Sequence, residues 1–328
     1  MTTGWGTDGL EVSGATLSDL SYGKTMTESD FLIALRALPL HPAARELRDD
    51  TGFLDTAGPL VITTDTMVEG IHYLPTDPAA DVAWKLVAVN LSDLAAKGAT
   101  PIGVLLNYPL GGESGWDRAF LTGLDFVLRH FDCPLIGGDT VSLPAGSARV
   151  LTLTAIGADA PAPPRSGAQA GDGLWVAGTI GDAGAGLAIA RGAAGPAALL
   201  AAYRQPMPLL AQGRALAPIA HAMMDVSDGL LLDASRMAAA SGLAVSIDLA
   251  AIPLSDAYRA FAGDDSTARL AAAVAGDDYA LLFAAPEALR PPVPATRIGR
   301  FSKGAGIDLH ESSVAVPLPA DLGFEHRA

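Results

Sequence analysis

The chain is 328 residues long, half of them hydrophobic, with a formal net charge of −15 and a pI of about 4.6. That length accommodates two domains of ordinary size, and the acid excess excludes a protein that holds nucleic acid through a general basic surface. No run of about 20 apolar residues marks a transmembrane helix, so no membrane partner is expected, and the lone Cys133 excludes an internal disulfide or a multi-cysteine zinc site and suits a cytoplasmic setting.

Residues 1–25 lack the basic start and apolar run of a leader, and their glycines and hydroxyls suit a flexible extension outside the fold. From Ser29, SDFLIALRAL reads as a helix capped by that serine, with Phe31, Leu32, Leu35 and Leu38 on one side and Pro39 closing it. The acidic stretch ELRDDTGFLD follows, with Asp49 and Asp50 adjacent. Leu60–Asp65 is a short strand ending in two hydroxyls and a carboxylate, Thr63, Thr64 and Asp65, with His72 just beyond. Ligand-binding residues gather at such ends.

Val87–Ala99, VAVNLSDLAAKGA, lies in a helix apolar on most sides, which Asp81 can cap and Gly98 can end. Asn90, Ser92 and Asp93 therefore need partners, because an unsatisfied buried polar group costs about 1–3 kcal/mol. An ion pair from Asp93 to Lys97, one turn on, is the simplest one. Ile102–Asn107 is a strand and Trp116–His130 a helix. Pro134–Thr140 is a strand that stops at Gly137 and Gly138 before Asp139, the glycines marking either a tight turn or a close approach of backbone or phosphate. Residues 149–156 alternate as a half-buried strand.

The Pro/Gly/Ser-rich segment 158–173 marks a linker and places a domain boundary near 160, giving domains 26–160 and 161–328. Beyond it a strand leads through glycines into a helix, but Gly178, Gly181, Gly184 and Gly186 do not fit the G-x-G-x-x-G spacing, which leaves a nicotinamide-linked dehydrogenase with little support. In DVSD, Asp225 and Asp228 flank Ser227 at a helix start. There Ser227 or Asp228 can act as the N-cap, and the free N–H groups can hold a phosphate. Strands over 243–249 and after GDDYALLF (276–283), with a helix over 268–274, complete an α/β pattern. Five separated segments thus put aspartate at a strand end, a helix or a glycine turn. Together they suit magnesium, a hard cation that shares carboxylates with substrate phosphates.

The strings TTDTMVEGIHY (63–73), VAVNLSDLAAKGA (87–99), LIGGDT (135–140), RSGAQAGD (165–172), DVSDGL (225–230) and GDDYALLF (276–283) resemble, in this order and spacing, the thiamine-monophosphate kinase family. The resemblance implies the two-domain α/β (α+β), PurM-like fold of aminoimidazole ribonucleotide synthetase-like ATP-binding enzymes, with an N-terminal domain that pairs in a homodimer. It implies transfer of the γ-phosphoryl group of ATP to thiamine monophosphate, assisted by several Mg2+ ions. By the same resemblance Asp50, Thr63, Thr64, Asp65, Asp93, Asp139, Asp225 and Asp228 match magnesium ligands. Gly138, Asp139, Arg165 and Ser227 match ATP contacts, and His72, Asp277 and Phe324 match contacts to the thiamine substrate. Arg48 stands where the family usually has glycine, and Asp277 and Ala280 where glutamate is common. The alternatives are another ATP-using enzyme of the fold or an idle nucleotide- or thiamine-phosphate-binding sensor. Two sibling activities, selenophosphate synthesis and hydrogenase maturation, need terminal cysteines that this chain lacks.

Overall fold

The computed structural model describes residues 26–49, 51–144 and 146–326; the expected extension at 1–25 and the expected ligand Asp50 lie outside them. Helix α1 (Glu28–Leu35) is capped by Thr27 rather than Ser29. Thr27 Oγ1 accepts the Asp30 N–H at 3.2 Å while the Asp30 carboxylate accepts the Thr27 N–H at 3.1 Å. This reciprocal box needs a polar side chain three residues on, which Ser29 lacks because Leu32 stands there.

Strands β1 (Val61–Val68), β2 (Thr100–Leu110), β3 (Leu135–Ser142) and β4 (Val150–Ala158) form one sheet in the order β1-β4-β2-β3. Only β2 and β3 are parallel, joined by the crossover helix α3 (Ser114–His130). Alternation decides the faces. Val104, Leu106 and Tyr108 of β2 and Leu151, Leu153 and Ala155 of β4 are buried in a core with α3 and α2 (Ala79–Ala95), and Phe31 stacks on Tyr108 at 4.3 Å. On the other face Ile62, Thr64, Thr66, Asn107, Asp139 and Val141 stand exposed.

The second sheet holds β5 (Asp172–Ala177), β6 (Ala222–Asp225), β7 (Leu243–Asp248), β8 (Leu281–Pro286), β9 (Thr296–Lys303), β10 (Gly306–Glu311) and β11 (Val314–Val316), in the order β11-β10-β7-β9-β5-β8-β6. Around it lie α4 (Asp182–Ala190), α5 (Ala197–Arg204), α6 (Leu210–Leu216), α7 (Leu230–Ser241), α8 (Asp256–Ala262) and α9 (Ser266–Ala275). Its core joins Leu174, Val176 and Leu282 to Leu231 and Met237 of α7 and Ala272 of α9.

Helix α2 is buried nearly all round because the first sheet, α3, and α5, α6 and β6 of the second layer all pack on it. Trp84 Nε1 donates to the Pro206 carbonyl at 2.9 Å, and an apolar seam joins Ala95 and Ala96 to Leu216, Met223 and Phe283. The helix begins after Pro78, not Asp81. Proline supplies the extended backbone of the cap, and Asp81 falls in the first turn, where its carboxylate accepts from Gln205 Nε2 at 2.6 Å.

Candidate active site

The polar residues of α2 each find the partner that burial demands. Asn90 Oδ1 accepts the Asp65 N–H at 3.1 Å and Asn90 Nδ2 donates to the Leu86 carbonyl at 2.9 Å. Ser92 donates to Asp225 at 2.6 Å, and Thr63 donates to Asp93. Lys97 directs its ammonium not to Asp93 but to the Pro163 and Met223 carbonyls, at 3.0 and 2.9 Å, and so tethers the linker and β6 to the end of α2. Asp93 therefore keeps its charge facing β1 and β6 rather than its own helix.

The turn after β6 is held differently from a simple N-cap. Gly229 is the cap residue of α7, with φ 122°, and no side chain caps it. Asp233, fully buried, reaches back and accepts the N–H groups of both Ser227 and Asp228 at 3.1 Å. Arg236 pairs with Asp228 and, at 3.3 Å, with Asp233. Residues 276–280 then run alongside this turn. The Asp277 N–H meets the Ser227 carbonyl and the Tyr279 N–H meets the Val226 carbonyl, both at 2.8 Å, while Phe324 N–H reaches the Asp228 carbonyl at 2.8 Å.

Together these elements enclose a cavity of about 600 Å³. Asp65, Asp93, Ser227 and Asp228 line one part of it, and His72, Asp277, Phe324 and His326 another. Asp225 lies behind, only 7% exposed, bonded to Ser92. Of the expected residues, Thr64 points the other way: its hydroxyl donates to the Leu153 carbonyl and accepts from Thr154. Gly138 and Asp139 sit on β3, at the sheet edge away from β1, and Asp139 pairs in register with Asn107 on the exposed face. The strand runs through both glycines instead of stopping, because Gly138 lets the Leu106 carbonyl of β2 approach. Arg165 is exposed in the connection between the sheets.

The carboxylates of the cavity are incompletely balanced. Burial first, then Asp93 and Asp228, push Asp65 up to about 6. Burial and Asp93 likewise raise Asp225, against the Ser92 hydrogen bond. Such a set favours a cation. Asp65, Asp93, Asp225 and Asp228, with the Thr63 hydroxyl, offer only hard oxygen donors, which suits magnesium. Among the described residues no three His, Cys, Asp or Glu side chains are gathered closely enough to hold a metal ion by themselves. An ion here would therefore complete its shell with phosphate oxygens and water, the usual habit of magnesium.

At the other end His72 Nδ1 accepts the Val68 N–H at 2.9 Å, and the ring lies 5.3 Å from that of His326. Burial, then the neighbouring His326, lowers the His72 pKa below the ordinary imidazole value. Three residues of the site are not among the expected site residues. Lys85 and Tyr279 both contact Asp277, and Asp233 shapes the 225–228 turn. Lys85 does leave a sequence signal, a charge in the middle of an apolar helix, but its acceptors lie in other segments.

The AIR synthase related protein N-terminal domain family matches residues 48–158, and the corresponding C-terminal domain family matches 169–311. The chain is 37% identical over 303 residues to the thiamine-monophosphate kinase of Caulobacter vibrioides, covering 87% of this chain and 86% of that one. Among solved structures it is similar to thiamine-monophosphate kinase from Stenotrophomonas maltophilia K279a, with 37% identity, TM-score 0.73, and coverage of 82% of this chain and 91% of that one. It is also similar to AaThiL complexed with AMPPCP and TMP, with 29% identity, TM-score 0.71, and coverage of 78% and 86%.

Proposed function

This chain belongs to the thiamine-monophosphate kinase family, and we propose that it passes the γ-phosphoryl group of ATP directly and in line to the phosphate of thiamine monophosphate, with several Mg2+ ions held by its aspartates. The coarser activity, ATP-dependent phosphorylation of thiamine monophosphate by a thiamine-phosphate kinase, is that of its relatives. The observation that carries the finer reading is the single cavity that joins Asp65 and Asp93 of the first sheet and α2 to Asp228 of the second domain, with His72, Asp277 and Phe324 in the same space.

A phosphate monoester has a second pKa of about 6, so at neutral pH the acceptor is largely a dianion and needs no strong general base. The obstacle is the approach of two polyanions. Bound magnesium would neutralise part of that charge and align the displacement. The protein's share is placement: Thr63, Asp65, Asp93, Asp225 and Asp228 would hold the ions, and the turn at Ser227, whose own N–H groups are taken by Asp233 and so are not free for a phosphate, would offer the Ser227 side chain to the nucleotide. Gly138 and Arg165 belong to the proposed ATP contacts, and Asp50, Thr64 and Asp139 to the proposed ligand set.

Thr64 and Asp139 share the exposed face of the first sheet with Ile62, which is 63% exposed, Val141 and Val150. We propose that a second copy covers this apolar face, making a homodimer through the N-terminal domain and bringing these two residues to a nucleotide bound between copies. We propose domains at 26–160 and 161–328, a reading supported by the change of sheet between β4 and β5. A cytoplasmic location is proposed from the single, free and buried Cys133.

Direct transfer predicts inversion at phosphorus when ATP carries a chiral γ-phosphoryl group; retention would mean a phosphorylated protein intermediate and would rule out the in-line step. A pH dependence also follows. His72 is neutral near pH 7, and protonation would turn its Nδ1 from acceptor to donor against the Val68 N–H and add a positive charge beside Lys85 and a cationic thiazolium. The KM for thiamine monophosphate is therefore expected to be flat down to about pH 6.5 and to rise below it. A His72→Gln variant should lose the part of that rise that His72 contributes, keeping only the part due to protonation of the substrate phosphate, while the KM for ATP stays unchanged.

A further inference from the structure

We infer that Lys85, on α2, is a positioning residue that holds the two walls of the thiamine end of the cavity in register; the inference rests on the kinase reading above. Its side chain is only 4% exposed. An ammonium so placed is costly unless its donors are met. They are met by groups from both domains. Lys85 Nζ donates to Asp277 Oδ2 at 2.7 Å and to the His72 carbonyl at 3.1 Å, and it lies 4.3 Å from the centroid of the Tyr203 ring.

One ammonium thus ties together His72 and Asp277, two of the three residues matched to the thiamine substrate, although they are far apart in the chain. The other oxygen of Asp277 accepts from Tyr279 at 2.9 Å, so the carboxylate is fixed from both sides. Tyr203 is itself pinned, its hydroxyl donating to Asp77 at 2.9 Å. Asp277 adopts φ 62°, a left-handed backbone that a side chain rarely takes and that surrounding contacts must impose. Its N–H is held separately by the Ser227 carbonyl, so its backbone stays anchored to the turn that carries Asp228 when the side-chain tie to Lys85 is removed. With its donors directed at Asp277, His72 and the Tyr203 ring, Lys85 acts on the substrate through these neighbours.

Domain docking does not depend on this contact, because Trp84, Ser92 and Lys97 hold α2 to the second domain separately. The effect of removing Lys85 should therefore appear in recognition of one substrate. The experiment measures KM for each substrate, kcat and the melting temperature for wild type, Lys85→Met, Asp277→Asn and the double variant. Lys85→Met is expected to raise the KM for thiamine monophosphate about tenfold or more, with the KM for ATP within about twofold and kcat within about threefold. The double variant is expected to be no worse than the worse single one, since both remove the same tie. Parallel rises in both KM values with a lower melting temperature, or strictly additive losses, would overturn the inference.

If Lys85→Met is not recovered folded, Lys85→Arg carries the test. Its longer, planar head keeps the charge but cannot meet both acceptors at the same distances. A rise in the KM for thiamine monophosphate of about threefold or more at an unchanged melting temperature supports the positioning role, and a wild-type KM overturns it. Absence of thiamine diphosphate from the wild type is a different result, and it removes the kinase reading first.

Discussion

Asp93→Asn is expected to lower kcat/KM by on the order of a hundredfold or more while leaving the protein folded. The substitution keeps shape and the acceptor oxygen for Thr63, so the link between β1 and α2 survives. What disappears is a charge. Asp93 is among the groups that hold Asp65 and Asp225 above their ordinary range, so removing it relieves repulsion in the metal-free protein. The melting temperature without magnesium should accordingly hold or rise as activity falls, and the magnesium concentration for half-maximal rate should increase. Loss of activity with an equal loss of stability would mean that Asp93 is a packing residue.

Gly138→Ala is expected to cost about 3 kcal/mol or more and to deplete folded protein. A Cβ at this position would stand 1.8 Å from the Leu106 carbonyl oxygen and 2.7 Å from its carbon, and φ is 153°. Both obstacles are backbone, inside the parallel pairing of β2 and β3. Gly137→Ala is the internal control. Its Cβ would meet only the flexible end of Leu105 at 3.4 Å, and the change should stay within about 1 kcal/mol. Urea unfolding midpoints of the two variants distinguish the positions, and equal midpoints would contradict the packing described here.

The two α/β layers, the Asp93 helix and most strands follow from periodicity, because burial on one face or all round leaves a visible pattern in α2, β2 and β4. End-capping was less legible. Ser29, Asp81 and Ser227 all have the right chemistry for a cap, yet Thr27, Pro78 and Gly229 hold those places. The choice depends on reciprocal partners such as Asp30 and on non-local ones such as Asp233. The side chains of TTD also could not all face one way. In a strand successive residues alternate, so Thr63 and Asp65 face α2 while Thr64 faces the open side of the sheet. Spacing along a chain does not encode which faces meet after folding, and for that reason Asp139 stands apart from Asp65 within one chain. Lys85 shows the same limit: its charge within an apolar helix is visible, but its partner is 192 residues away.

The measurement that bears most directly on the account is product formation by the wild-type chain from ATP, magnesium and thiamine monophosphate, with thiamine diphosphate and ADP quantified together. Equal amounts of the two, abolished by chelating magnesium, are predicted. ATP binding without thiamine diphosphate, or ADP released with free phosphate in its place, would contradict it.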